Sequence, residues 1–215
     1  MDIKHFVINR PIDLDRYLSL DLPFQYTIKR PTSLNDPELL SLSESGYNKH
    51  RQELSLQLTV RDLLKNNTGI IGVYEDDIIF DGDVTPYLSN INTLPSNFDF
   101  LLLGAYIRQP KGKLIKHNDL YYKMQGDFDF IGCHAIIYNT ARCNKIVSDF
   151  STKKQVPIDG YYFLNIVGKP NYNVYITSEL TAWQSGSVGF HGLYPFLELK
   201  STSLNIYSKL KTEST

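Results

Sequence analysis

The run "GIIGVYEDD", residues 69 to 77, limits the fold more than any other stretch. From Ile70 to Tyr74 no charged side chain interrupts it, so a strand there is apolar on both faces and needs cover on both. Strands of that kind sit inside α/β sheets with helices packed above and below. The segment before it agrees: "KHRQELSLQLTVRDLLK", residues 49 to 65, repeats Leu54, Leu58 and further Leu and Val positions at helical spacing, and "NNTG" ends it.

Upstream, "HFVI" (residues 5 to 8) reads as a short strand broken by "NRP". The next stretch, "IDLDRYLSL", places Ile12, Tyr17 and Leu18 on one helix face, with Pro11 near the first turn. "FQYTI" (24 to 28) is a second strand, and "KRPTSLNDPELLSLSESG" a long polar connection with room for one helical turn. This alternation predicts right-handed βαβ units, whose ligands gather at the carboxyl ends of the strands. Beyond residue 83 the pattern predicts a helix or helical turn in "PYLSNINTLP". It then gives strands in "FDFLLLG", "DLYYKMQG" and "FIGCHAIIYN", and a helix in "TARCNKIVSDF". A helix entered near Asp159 and a final strand in "NVYITS" follow, and the Gly- and Ser-rich "QSGSVGFHGLYPFLELKSTS" suits a flexible loop over a site. The expected fold is therefore one α/β domain, with a mixed, mostly parallel central sheet flanked by helices.

With 215 residues and 42% hydrophobic content the chain has the material for a proper core. Its 22 basic and 23 acidic residues leave a net charge of -1, which gives no general attraction for nucleic acid or an anionic membrane. No apolar run is long enough for a signal peptide or a membrane span, so the expectation is a soluble, cytoplasmic protein without an anchor. Cys133 and Cys143 lack metal-type or CxxC spacing and are expected as reduced thiols.

Three consecutive carboxylates, Glu75, Asp76 and Asp77, close the apolar run. In an extended chain Glu75 and Asp77 share a face and repel unless a cation or protons neutralise them. A strand running out into a solvated turn is the plainer reading, since "FDGD" is good turn chemistry. The alternative is a hard divalent cation, Mg²⁺ or Mn²⁺, bridging a diphosphate. His191, between glycines in "GSVGFHG", lies where the backbone can fold close over a ligand, and imidazole is acceptable to Mn²⁺. Asp159 stands at a loop to helix junction, as an N-cap or a base. Arg10 and Arg16 flank the first strand to helix turn, where a guanidinium can fork onto phosphate or simply be solvated. No phosphate-binding glycine motif, GxSxG or HExxH occurs.

Several of these pieces fall in the order of one family. "FVINRPIDLDR", "SGYNKH", "GVYEDDIIF", "FIGCHAIIYNTAR" and "VPIDGYYF" resemble motifs of GT-A glycosyltransferases of family twenty-five. That is the lipooligosaccharide and procollagen galactosyltransferase type, which the small chlorella virus capsid-glycan enzymes also resemble. The resemblance spans residues 3 to about 190. Arg10 stands where the family usually has Leu, Lys49 replaces a Ser, and the chain is shorter than most members.

The resemblance implies a nucleotide-binding half at about 1 to 83, an acceptor-side half at about 84 to 200, and a C-terminal tail. It implies donor-binding roles for Ile8, Asn9, Arg10, Arg16, His50, Glu75 and Asp76, and metal contacts from Asp77 and His191. It also implies Mn²⁺ or Mg²⁺ as cofactor, a UDP-sugar donor, a glycan or glycoprotein acceptor, and inversion at the anomeric carbon with Asp159 as base. Two other readings stay open at this point: a metal-dependent phosphoesterase, for which no second carboxylate cluster is present, and a non-catalytic carbohydrate-binding or structural protein.

Overall fold

The computed structural model describes residues 2–10, 18, 20–44, 51–132, 134–152, 158–184 and 196–212. Its centre is a sheet of eight strands: β1 (Ile3–Ile8), β2 (Thr27–Lys29), β3 (Ile70–Glu75), β5 (Phe100–Leu102), β7 (Lys113–Lys116), β8 (Tyr121–Gln125), β10 (Ala135–Asn139) and β11 (Val174–Thr177). Their order across the sheet is β2-β1-β3-β10-β5-β11-β8-β7. β1 pairs in parallel with both β2 and β3, and β11 with β5. β10 runs antiparallel between β3 and β5, and β8 antiparallel between β11 and β7, so all strands but these two share one direction. This is the mixed, mostly parallel sheet expected.

Alternation along the central strands explains their continuous apolar sequence. Ile71 and Val73 of β3, Phe100 and Leu102 of β5, and Ile136 and Tyr138 of β10 enter one core. Ile70 and Tyr74, Leu101, and Ala135 and Ile137 enter the other. Successive side chains point to opposite faces, so both faces of each strand are buried. Helices α1 (Pro37–Glu44), α2 (Arg51–Asn66), α3 (Thr85–Ser89), α4 (Asn144–Thr152), α5 (Ile158–Asn165) and α6 (Phe196–Thr212) supply the cover. Val60, Leu63 and Leu64 of α2 and Tyr161 and Tyr162 of α5 join the first core, while Tyr87 of α3 joins the second.

Two ribbons complete the fold: β4 (Ile78–Phe80) with β12 (Ala182–Gln184), and β6 (Tyr106–Pro110) with β9 (Phe128–Ile131). β12 follows the segment expected to be the last strand, and β6 and β7 lie in a stretch with no predicted element. The run "FIGCHAIIYN" divides between β9 and β10, with Gly132 in between at φ +88°, a conformation side chains with a Cβ rarely adopt.

Three other expectations change. β2 starts at Thr27, because Phe24 and Tyr26 pack against the second core from a loop rather than a strand. The polar connection after β2 holds a two-turn helix, α1. Asp36 caps it, its Oδ1 accepting from the backbone N–H of Glu38 (2.9 Å) and Leu39 (3.3 Å), and Pro37 occupies the first helical position. The tail from Phe196 onward is helix α6, since Ser203, Tyr207 and Leu210 recur at helical spacing and are buried. The helix expected near residues 12 to 18 lies outside the described residues apart from Leu18. Among the described residues no helix is long and apolar enough to cross a membrane.

Candidate functional site

The carboxyl ends of β2, β1 and β3 lie side by side, because Ile8 stands opposite both Lys29 and Glu75 in the parallel pairings. The residues that follow each strand therefore form a row: Arg30, Asn9 and Asp76. Asn9 Nδ2 donates to Asp76 Oδ2 at 2.8 Å in a buried setting. Arg30 Nη1 donates to the Asn9 backbone oxygen at 3.1 Å and also to Asn9 Oδ1. The backbone N–H of Asn9 in turn donates to Lys29 O at 3.1 Å. A cation and an anion thus clamp opposite ends of one carboxamide, which fixes which way the amide points. Asn9 is 1% exposed and Asp76 9%, so the bond between them is shielded from water and correspondingly strong, while Arg30 reaches Asn9 from the exposed side.

The acidic triplet does not continue as an extended strand. Glu75 ends β3, Asp76 and Asp77 make a turn, and the chain enters β4, which belongs to the β4-β12 ribbon. The alternation expected for Glu75 and Asp77 stops at that turn. Asp77, half-buried, lies near Tyr106: burial pushes the Tyr106 hydroxyl up to about 12, and the Asp77 carboxylate adds to the rise. Tyr106 Oη donates to Gln184 O and accepts from Gln184 N, each at 3.3 Å.

His134 joins the two sheets around this turn. Its backbone oxygen accepts from Glu75 N at 3.1 Å, and its ring Nε2 lies 3.0 Å from Ala182 O on β12. Burial lowers its pKa to about 4, so the imidazole is neutral and Nε2 carries the proton it donates to that carbonyl. Gly104 brings the ribbon still closer: a Cβ there would fall 1.9 Å from Ala182 O.

On the face of the sheet toward the helices, Ile8, Val73, Glu75 and Tyr138 line a crevice with Leu56 and Val60 of α2 and Ile158 of α5. Its volume of about 10 Å³ has room for one water at most. Asp159, the second residue of α5, follows directly on Ile158, so the helix start and the end of β3 meet at this crevice.

The structure thus brings Ile8, Asn9, Glu75, Asp76 and Asp77 together, with the half-buried Arg10 next along the chain and the start of α5 close by. Arg16, His50 and His191 lie outside the described residues. Arg30, Tyr106 and His134 had no assigned role in the sequence reading. Arg30 was legible only through β2: once its strand is paired in parallel with β1, the residue after it must sit at the same sheet end as Asn9. Nothing local marks Tyr106 or His134, whose contacts come from residues about 50 to 80 positions away. Among the described residues no three His, Cys, Asp or Glu side chains converge as a ready metal cage.

No family model matches the chain, and no curated protein matches it. Among solved structures, mouse xyloside xylosyltransferase 1 in its apo form is similar over 76% of this chain and 81% of that one, at 7% identity and a TM-score of 0.43. Mannose-1-phosphate geranyltransferase from Thermus thermophilus is similar over 82% of this chain and 74% of that one, at 12% identity and a TM-score of 0.41. A197 from STIV is similar over 87% of each chain, at 14% identity and a TM-score of 0.39.

Proposed function

We propose that the chain is a glycosyltransferase that moves a sugar from a UDP-sugar to a hydroxyl of a glycan or glycoprotein, with Mn²⁺ or Mg²⁺ as cofactor. The observation that carries this reading is the Arg30, Asn9, Asp76 row, which fixes one carboxylate of the triplet at the joined carboxyl ends of parallel strands. That end of an α/β sheet is where nucleotides bind, and a fixed carboxylate beside two others suits a charged ligand with a cation.

The donor set fits such a cation. Carboxylate oxygens suit Mg²⁺ and Mn²⁺, and Mg²⁺ is commonly held by one or two carboxylates with substrate phosphates and water completing the shell. Asp77 would hold it directly, with His191 as second ligand. When bound, the metal offsets the charge that grows on the leaving diphosphate.

The protein's own groups do the rest. Ile8, Asn9, Arg10, Arg16, His50 and Glu75 contact the donor nucleotide, and Asp76, kept in place by Asn9, faces the ribose or sugar. Asp159 accepts the proton of the acceptor hydroxyl as the new glycosidic bond forms. Attack opposite the leaving group inverts the anomeric centre.

Calorimetric titration with UDP, with and without Mn²⁺, tests the reading on wild type and Asp77→Ala. Micromolar binding that needs both the metal and Asp77 is expected. A folded wild-type sample that takes up no UDP in any condition would overturn it.

A further inference from the structure

A second cavity, of about 280 Å³, lies between α6 and the β4-β12 ribbon, away from the carboxylate turn. Its walls include Asp81, Glu179, Trp183, Lys200, Ser208 and Lys211. The basic groups are already committed. Lys200 is ion-paired with Asp81 and sits 5.3 Å from the centroid of the Trp183 ring. Lys211 donates to Ser178 O at 2.8 Å and lies over the Tyr207 ring. Among the described residues, what remains without a partner is the exposed Glu179 carboxylate, the exposed Ser208 hydroxyl, and the buried Trp183 Nε1–H.

Those three groups are an acceptor, a group that both donates and accepts, and a donor. With two carboxylates against two ammonium groups, the lining carries no net charge, so it selects no simple ion. A lining of mixed donors and acceptors without net charge matches a neutral polyhydroxylated ring, whose adjacent hydroxyls can both donate to one carboxylate. We infer that this cavity binds a pyranoside, with Glu179, Ser208 and Trp183 as its polar contacts. Asp81 is four residues beyond Asp77, just past extended β4, which puts the Asp81 end of the cavity about 13 Å from the carboxylate turn. If the transferase reading above holds, the cavity receives a sugar of the acceptor remote from the reacting hydroxyl. The binding itself does not depend on that reading.

Trp183 is the only tryptophan of the chain and stands in the cavity wall, so its emission follows the cavity provided UDP and Mn²⁺ are kept out of that titration, because the ring also packs on Tyr106 beside the carboxylate turn. The test titrates the methyl pyranosides of glucose, galactose, mannose, xylose and N-acetylglucosamine against the full chain while Trp183 fluorescence is followed. UDP with Mn²⁺ is titrated by calorimetry in separate aliquots of the same samples. A saturable emission change is expected with at least one pyranoside. The midpoint should rise at least tenfold in Glu179→Ala, and the response should vanish in Ser208→Phe, which fills the cavity from its exposed rim. No saturable response to any of the five sugars, or a response unchanged in both variants, overturns the inference. Should Ser208→Phe fail to fold, Glu179→Ala decides alone. A pyranoside response without UDP binding removes the transferase reading and leaves the cavity site standing, and UDP binding without a pyranoside response does the reverse.

Discussion

At the scale of single residues, the site depends on which way one carboxamide points. Asn9 offers its amide nitrogen to Asp76 and its oxygen to Arg30, and an isosteric exchange tests that division of roles. Asn9→Asp would set a second carboxylate oxygen 2.8 Å from Asp76 Oδ2. Hydrogen bonds to charged groups contribute about 1.5–3 kcal/mol, so a loss of stability of at least about 2 kcal/mol at neutral pH is expected by urea denaturation. Crowded carboxylates raise the pKa of one of them in the folded state, so the folded variant binds a proton the unfolded chain does not. The deficit against wild type should therefore shrink as pH falls toward 5, and a constant deficit would count against the geometry. Asn9 and Asp76 were both named from sequence, yet their contact was not legible, because the pairing of β1 with β3 that makes them neighbours spans 67 residues.

At the scale of elements, the carboxylate turn is held by how closely the β4-β12 ribbon approaches the sheet. Gly104 permits that approach, since an added Cβ would meet the backbone of Ala182, which cannot swing aside as a side chain would. Gly104→Ala is expected to cost about 1–3 kcal/mol, as overpacked substitutions do, and to weaken UDP binding by displacing the turn. Chemical denaturation and calorimetry read the two effects, and unchanged values in both would show that the ribbon yields freely. The elements themselves were legible in uneven measure. β3 and β10 stand out as apolar runs and α2 by its helical periodicity, and all three lie close to where the sequence puts them. α1 is announced by Asp36 and Pro37 but sits in a polar stretch, and α6 is masked by the Gly-rich segment just before it. The short ribbon strands β4, β6 and β12 take their form from partners elsewhere in the chain, and a three-residue strand carries almost no periodic signal.

At the scale of the whole molecule, one buried and one half-buried imidazole make stability depend on pH. Burial lowers both His5 and His134 to about 4, from 6.5 in the unfolded chain. The unfolded state binds more protons between those values, so the stability they contribute is complete above about pH 6.5 and is lost as pH falls toward 4. The fully buried His134 accounts for on the order of 3 kcal/mol of that loss. Histidine ring resonances followed by NMR should show the His5 and His134 rings still neutral at pH 5.5. Protonation of both at that pH would refute the burial argument.

The position of β10 also has a consequence for the order in which the protein can be made. β3 is apolar on both faces, and one of its two edges is satisfied only by β10, whose first residue comes about 60 positions later. On a ribosome the N-terminal strands emerge with that edge open, and an open apolar edge invites pairing with a neighbouring chain. The central sheet can close only after β10 has been synthesised. Slower translation between β3 and β10 would lengthen the interval in which the nascent chain is exposed to aggregation, and a chaperone that shields β3 would act in that interval.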